Sequence, residues 1–305
     1  MMQSESILTL TESPKSNTVI WMRRFVWKIA LATVALMIVG SATRVMNAGL
    51  ACPDWPLCYG QIIPSRYLLN LQVFLEWFHR ADAGLIFIST LALMILAWVN
   101  RKKLPKWFAP MATLSFGLIF WQAILGGLTV TQLLRFDIVT AHLGTALLFL
   151  TTLVFLATGS SEFQPEGTNR KMFWGGLFAL ILVYIQSILG GLVASRWAIH
   201  QCLAGSKLCQ VMNNHLLGVV PTLVAILLVV FFAFRESQLS PLLKKLALSA
   251  IVLVVLQIML GISTLKFELQ VEILTVTHHL VAALLLSVLV AFTVLAQRNS
   301  KEVKL

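Results

Sequence analysis

Charge is scarce in this chain. Asp, Glu, Lys and Arg make up 11% of its 305 residues, against about 25% in soluble globular proteins. A soluble surface cannot be built from so few charges, which excludes a free cytosolic enzyme. Cysteine is scarce as well. Four cysteines are too few for a disulfide-dense secreted scaffold. Acidic residues number 12 against 23 Lys and Arg, a net charge of +11. That excess suggests nucleic acid until the charges are placed along the chain. Apolar residues account for 58%, and the mean hydropathy is +0.87, which excludes disorder.

What is abundant is the long apolar run. Eight stretches reach the ~20 residues that a bilayer-spanning helix needs: 25–46, 72–99, 107–130, 138–158, 172–195, 212–234, 242–265 and 273–296. Spanning strands would be about 10 residues long with alternating polarity. These runs are longer and more evenly apolar, and lipid obliges each segment to satisfy its own backbone. The expected fold is an all-α membrane protein of eight transmembrane helices. Most Lys and Arg, including Arg23, Arg24, Arg101, Lys102, Lys103, Arg170, Lys171, Lys244, Lys245 and Arg298, flank the runs on the side that holds both termini. This bias predicts cytoplasmic termini, and it explains the positive charge without nucleic acid. Residues 1–18 are polar and include Glu5 and Glu12. The run after Arg24 exceeds a signal-peptide core, so the first helix is expected to be retained.

The chain repeats. Gln122-Ala-Ile-Leu-Gly126-Gly127, Gln186-Ser-Ile-Leu-Gly190-Gly191 and Gln257-Ile-Met-Leu-Gly261 lie in the third, fifth and seventh runs. Each is followed in the next run by His-Leu: His142, His215 and His279. The repeat predicts two pseudo-symmetric four-helix bundles, 20–158 and 172–296. A cytoplasmic linker, 159–171, joins them, and tails 1–19 and 297–305 flank them. Glycines at such positions ordinarily allow close helix packing. That does not explain the histidines.

Five of the six histidines fall in the runs: His79, His142, His215, His278 and His279. They occupy the first turns of the second, fourth, sixth and eighth runs, so they share one depth toward the outer leaflet. Ionisable groups in a bilayer usually mark a functional site. Two imidazoles facing across a four-helix bundle can hold a heme iron from both sides, and glycines opposite would make room for a flat macrocycle. The alternatives are hydrogen-bonded core histidines, or a zinc site, for which no Cys or paired carboxylates converge. His278 and His279 point about 100° apart and cannot both ligate one iron. The repeat aligns His279 with His142, leaving His278 as the alternative. His200 falls in an outer loop as a solvated or lid residue.

Glu76 and Asp82 are the acids within the apolar runs. Glu76, three residues before His79, shares its helix face. It is either a proton acceptor beside the ligand or an interfacial Glu favoured by the helix dipole. Arg44 and Arg80 either pair with heme propionates or snorkel. Cys52 and Cys58 share the first outer loop, and Cys202 and Cys209 the third. Two local disulfides are the simplest assignment, with a redox-active pair as the alternative.

Gly40-Ser-Ala-Thr-Arg44, Gly49-Leu-Ala-Cys52-Pro-Asp-Trp-Pro-Leu-Cys58-Tyr-Gly60 and Glu76-x-x-His79-Arg80 resemble the heme A synthase family. With the repeated His helices, the resemblance covers about 20–296. It implies oxidation of a methyl group of heme O to the formyl group of heme A, with water as oxygen source, for heme–copper oxidase assembly. It also implies that His79 and His142 hold the substrate heme, and that His215 and His279 hold a heme b cofactor. Glu76 matches the catalytic carboxylate, and Cys52–Cys58 and Cys202–Cys209 match the loop pairs. Implied partners are a heme O synthase, an electron acceptor and the bilayer of a bacterial plasma membrane or a thylakoid. Two features depart from the family pattern: the stretch Val45-Met-Asn-Ala48, in place of a Thr- and Ser-rich form, and the double His278-His279. A diheme electron carrier without chemistry of its own is the alternative. A repeat-built transporter would place its ionisable groups at mid-membrane, which the shared outer depth disfavours.

Overall fold

Apolar helices in lipid gain nothing by hiding from their surroundings, so packing, small residues and a few polar ties must hold them together. The computed structural model describes residues 17–66, 69–164, 170–194, 207–237, 239–268 and 270–300, with side chains of the sixth helix from 210 onward. Among these are eight helices: α1 Asn17–Val45, α2 Leu71–Val99, α3 Phe108–Thr131, α4 Phe136–Gly159, α5 Lys171–Val193, α6 Lys207–Arg235, α7 Pro241–Lys266 and α8 Glu272–Asn299. All eight are long and apolar enough to cross a membrane. The chain is a multi-pass integral membrane protein.

Several helices outrun the apolar windows. α1 starts at Asn17 and carries Arg23, Arg24 and Lys28 inside it. Hydropathy marks where the hydrocarbon ends, whereas the backbone ladder continues into the interface. Caps fix two starts: Asn70 Oδ1 accepts from the Gln72 and Val73 N–H groups at 2.9 and 3.3 Å, and Ser240 Oγ accepts from Leu243 N–H, with Pro241 at the first position. Pro is tolerated there because its missing N–H would be unpaired anyway.

Each of α1–α4 packs on the next, and α4 returns to α1. The same holds for α5–α8, with α8 returning to α5. The two rings meet where α8 packs on α1 and α4, and where α4 packs on α5. α8 is therefore central: 61% of its spanning window is buried, against 17% for α7. At the terminal end, Arg298 of α8 donates to Thr158 O (3.1 Å) and Ser161 Oγ (3.2 Å), linking the two rings.

Dense apolar packing fills the half of the bundle nearest the termini. Leu147, Leu150, Leu153 and Leu156 of α4 and Leu285, Leu286, Leu289 and Phe292 of α8 belong to one buried cluster that spans both rings. Close approach is needed where α5 crosses α8, since a Cβ at Gly176 would lie 2.8 Å from Thr293 Oγ1 and 2.9 Å from Phe292 Cδ1. Overpacking of this kind costs about 1–3 kcal/mol. Gly176→Ala should thus lower the melting temperature in detergent, whereas Gly117→Ala, whose added methyl meets nothing within 4 Å, should leave it unchanged or raised.

Candidate functional site

The other half of the bundle holds the histidines, and all four even helices treat them alike. The His79 ring of α2 lies on Gly40 of α1, that of His142 on Gly126, that of His215 on Gly190 and that of His278 on Gly261. An added methyl at these glycines would stand 2.7, 3.4, 3.0 and 3.1 Å from the imidazole Cε1. Beside each ring lies a backbone carbonyl, that of Leu36, Gln122, Gln186 or Gln257. Each belongs to the residue four before the glycine, one helical turn away. Nδ1 of all four rings is buried with no hydrogen bond at ordinary distance, so this carbonyl is the acceptor at hand. A ring held by its Nδ1 edge against a carbonyl offers Nε2 to a metal, the usual orientation of a ligating imidazole.

The glutamines that open the repeat add a second tie. Gln122 Nε2 donates to His142 O at 2.9 Å, and Gln186 Nε2 donates to His215 O. Gln257 differs, with its amide 3.1 Å from His278 Nε2. The first helix has Leu36 at the matching position.

The histidines fall into pairs. His79 lies close enough to His142 for its charge to be felt there, and His215 stands in the same relation to His278. In each ring the two carriers, α2 with α4 and α6 with α8, are diagonal helices rather than packed neighbours. The imidazoles therefore face one another across the bundle axis. Among the described residues no three His, Cys, Asp or Glu side chains converge as a bare metal ion would require. A heme iron brings four nitrogens of its own and needs only two more, so the paired imidazoles and bare glycines suit that group. His279, favoured by the repeat alignment, lies on no bare glycine: its Nδ1 is 3.0 Å from Ser41 Oγ on α1, and the charge of His215 reaches it as it reaches His278. His200 and the Cys202–Cys209 pairing lie outside the described residues.

The first loop is folded onto the face of α2 that carries His79. Glu76 is buried. Its Oε1 pairs with Arg80 Nη2 at 2.5 Å, and its Oε2 accepts from Cys52 N–H at 2.7 Å. Arg80 also donates to Cys52 O (3.2 Å), Asp54 O (2.5 Å) and Leu57 O (2.6 Å). These four bonds consume its terminal N–H groups. This guanidinium builds the loop. Arg44 has no carboxylate or hydrogen-bond partner among the described residues, and its charge reaches His279.

Cys52 and Cys58 form a disulfide, Cα–Cα 4.8 Å. Around it, Cys58 and Gln61 exchange backbone hydrogen bonds, closing a turn in which Tyr59 and Gly60 have φ of 54° and 70°. The Trp55 ring rests on Gly127, 3.1 Å from where a Cβ would stand, so the loop covers α3 beside the seat of His142. Neither Trp55 nor the Arg80 bonds were legible in the sequence, since loop closure leaves no periodic signal.

Residues 23–67 and 69–290 match the COX15-CtaA family, described as cytochrome oxidase assembly protein. The chain belongs to this family. Within it, the chain is 29% identical to a heme A synthase of Shewanella oneidensis, over 85% of this chain and 91% of the relative. It is 27% identical to that of Caulobacter vibrioides, over 87% and 92%. It is 26% identical to that of Bacillus cereus, over 93% and 97%.

Asp54 is the loop's titratable clasp, accepting from Tyr59 N–H at 2.6 Å and Gly60 N–H at 2.8 Å. The Gly60 bond above all, with that of Tyr59, holds its carboxyl below the usual carboxylate range. A lowered folded pKa gives stability that is complete above the unfolded value, about 3.9, and lost as pH falls through the folded one. Phosphine reduction of the disulfide should therefore be faster in Asp54→Asn than in wild type at neutral pH. That ratio should approach one as the medium is acidified below pH ~4.

Proposed function

We propose that this protein is a heme A synthase, an integral membrane oxidoreductase that converts a methyl group of heme O to the formyl group of heme A with water as oxygen source. One observation carries the reading: two pairs of imidazoles, each across the axis of its own four-helix ring, each ring of atoms resting on a bare glycine. Family membership and the names of the relatives support it.

In this reading the two halves divide the work. His79 and His142 hold the substrate heme in α1–α4. His215 and His278 hold a heme b in α5–α8, which supplies one-electron transfer when bound. His278 takes the role that the repeat alignment gives His279, because it has the glycine seat and the carbonyl, which His279 lacks. Turning methyl and water into formyl releases four protons and four electrons. Glu76, one turn before His79, accepts protons at that edge. Arg80 and the Cys52 N–H fix its orientation, and each oxygen keeps a second lone pair. Arg44 meets a heme propionate. A heme held by His215 and His278 would carry these electrons toward an acceptor, and heme O would come from a heme O synthase.

Both termini face the cytoplasm of a bacterial plasma membrane, or the equivalent side of a thylakoid. The Lys and Arg bias supports this, and so does the disulfide at the opposite end, since disulfides persist on the oxidising side.

The test is coexpression with a heme O source, followed by extraction and mass spectrometry of the pigments. Heme bearing a formyl in place of a methyl is expected. Bound heme with heme O left unconverted would favour a diheme electron carrier. Glu76→Gln should keep its heme yet lower heme A output by ~10²-fold or more, the contribution typical of a positioned proton acceptor; undiminished output would remove Glu76 from the chemistry. His278→Ala should abolish the spectrum of the second heme and His279→Ala should spare it, with the opposite result reinstating His279.

A further inference from the structure

The second histidine of the His278-His279 pair lies on no bare glycine, yet its ring is tied to a side chain of the first half. Its Nδ1 lies 3.0 Å from Ser41 Oγ, across the junction between the two rings. The residue before Ser41 is Gly40, on which the His79 ring lies. The residue before His279 is His278, which lies on Gly261. Arg44, one turn beyond Ser41, and His215 are near enough for their charges to reach His279.

One peptide step on α1 and one on α8, joined by a single hydrogen bond, therefore connect an imidazole of the first half to an imidazole of the second. We propose that Ser41 and His279 are positioning residues that couple the two heme sites, so that filling one changes the affinity of the other. The inference rests on the heme-binding reading above. Its physical basis is short. The His79 ring and Gly40 touch with no side chain between them, so pinning His79 on an iron pins the backbone at residues 40–41. Ser41 then fixes His279, and with it the rotation of α8 that aims His278. Both ties run between helices that pack directly, α1 on α2 and α1 on α8. Coupling between sites is reciprocal and typically amounts to a factor of about 5–150.

The experiment titrates full-length protein in detergent with ferric protoporphyrin IX, read in the Soret band. His142→Ala reports the second site alone and His215→Ala the first alone. In wild type, the product of the two stepwise dissociation constants should depart ~5-fold or more from the product of these single-site values. In Ser41→Ala and His279→Leu the departure should shrink to within about twofold, with bis-imidazole spectra kept at both sites. His279→Asn, whose amide can still meet the Ser41 hydroxyl, should restore it. Independent sites in wild type, or undiminished coupling in Ser41→Ala, would overturn the inference and leave the heme-binding reading standing. Loss of the second heme in His279→Leu would make His279 a ligand and overturn it too. Failure of wild type to bind heme in either half would overturn both.

Discussion

The bare glycine under each imidazole is the constraint on which the rest of this structure depends. An imidazole in hydrocarbon is costly unless its polar edge is met. A helix offers few free acceptors to a neighbour, because its carbonyls are already bonded and its side chains stand in the way. Removing one side chain lets a ring approach the backbone, and the carbonyl one turn earlier can accept a second bond through its other lone pair. Four such seats occur here, on α1, α3, α5 and α7, and each holds a ring of the next helix. Helix order and pairing follow, since each seat requires its odd helix to lie against the even helix that succeeds it.

That arrangement divides the bundle by depth. Toward the termini, leucines and phenylalanines interdigitate in one cluster through both rings. Toward the first loop, the imidazoles on their glycine seats take the place of that packing. The dense end carries the fold, and the other end carries the imidazoles. α8 belongs to both regimes. It is the most buried span, and it brings Arg298 to the terminal end and the double histidine to the other.

Much of this was legible in the sequence because it is periodic. Apolar runs announced the eight helices, the Gln-x-x-x-Gly and His-Leu repeats announced His142 and His215, and a histidine near the start of every even run announced the shared depth. What escaped was whatever depends on rotation or on loop closure. The repeat alignment compares His279 with His142 by the Leu that follows each. Which of two adjacent residues faces the axis is instead set by how α8 packs on α1 and α7, and no short motif encodes that. Arg80 read as a propionate partner or a snorkelling residue because its partners besides Glu76 are backbone carbonyls of a loop 23 or more residues away in sequence. The glutamines were visible as a repeat, but their amide bonds to the His142 and His215 carbonyls required the neighbouring helix to be in place.

The loop and Glu76 show why a carboxylate can sit beside an imidazole at this depth. A lone carboxylate there would be strongly disfavoured, because lipid and apolar side chains cannot replace its water. Arg80, four residues along the same helix, supplies the opposite charge, and the Cys52 N–H supplies a directional bond. Arg80 in turn would be over-positive for its surroundings without the three loop carbonyls that it also binds. The disulfide holds those carbonyls in one compact turn. Loop, arginine and carboxylate are thus mutually required. The sequence keeps them as one block, Cys-Pro-Asp-Trp-Pro-Leu-Cys followed by Glu-x-x-His-Arg, because each part stabilises a charge or a dipole that the others would leave unpaired.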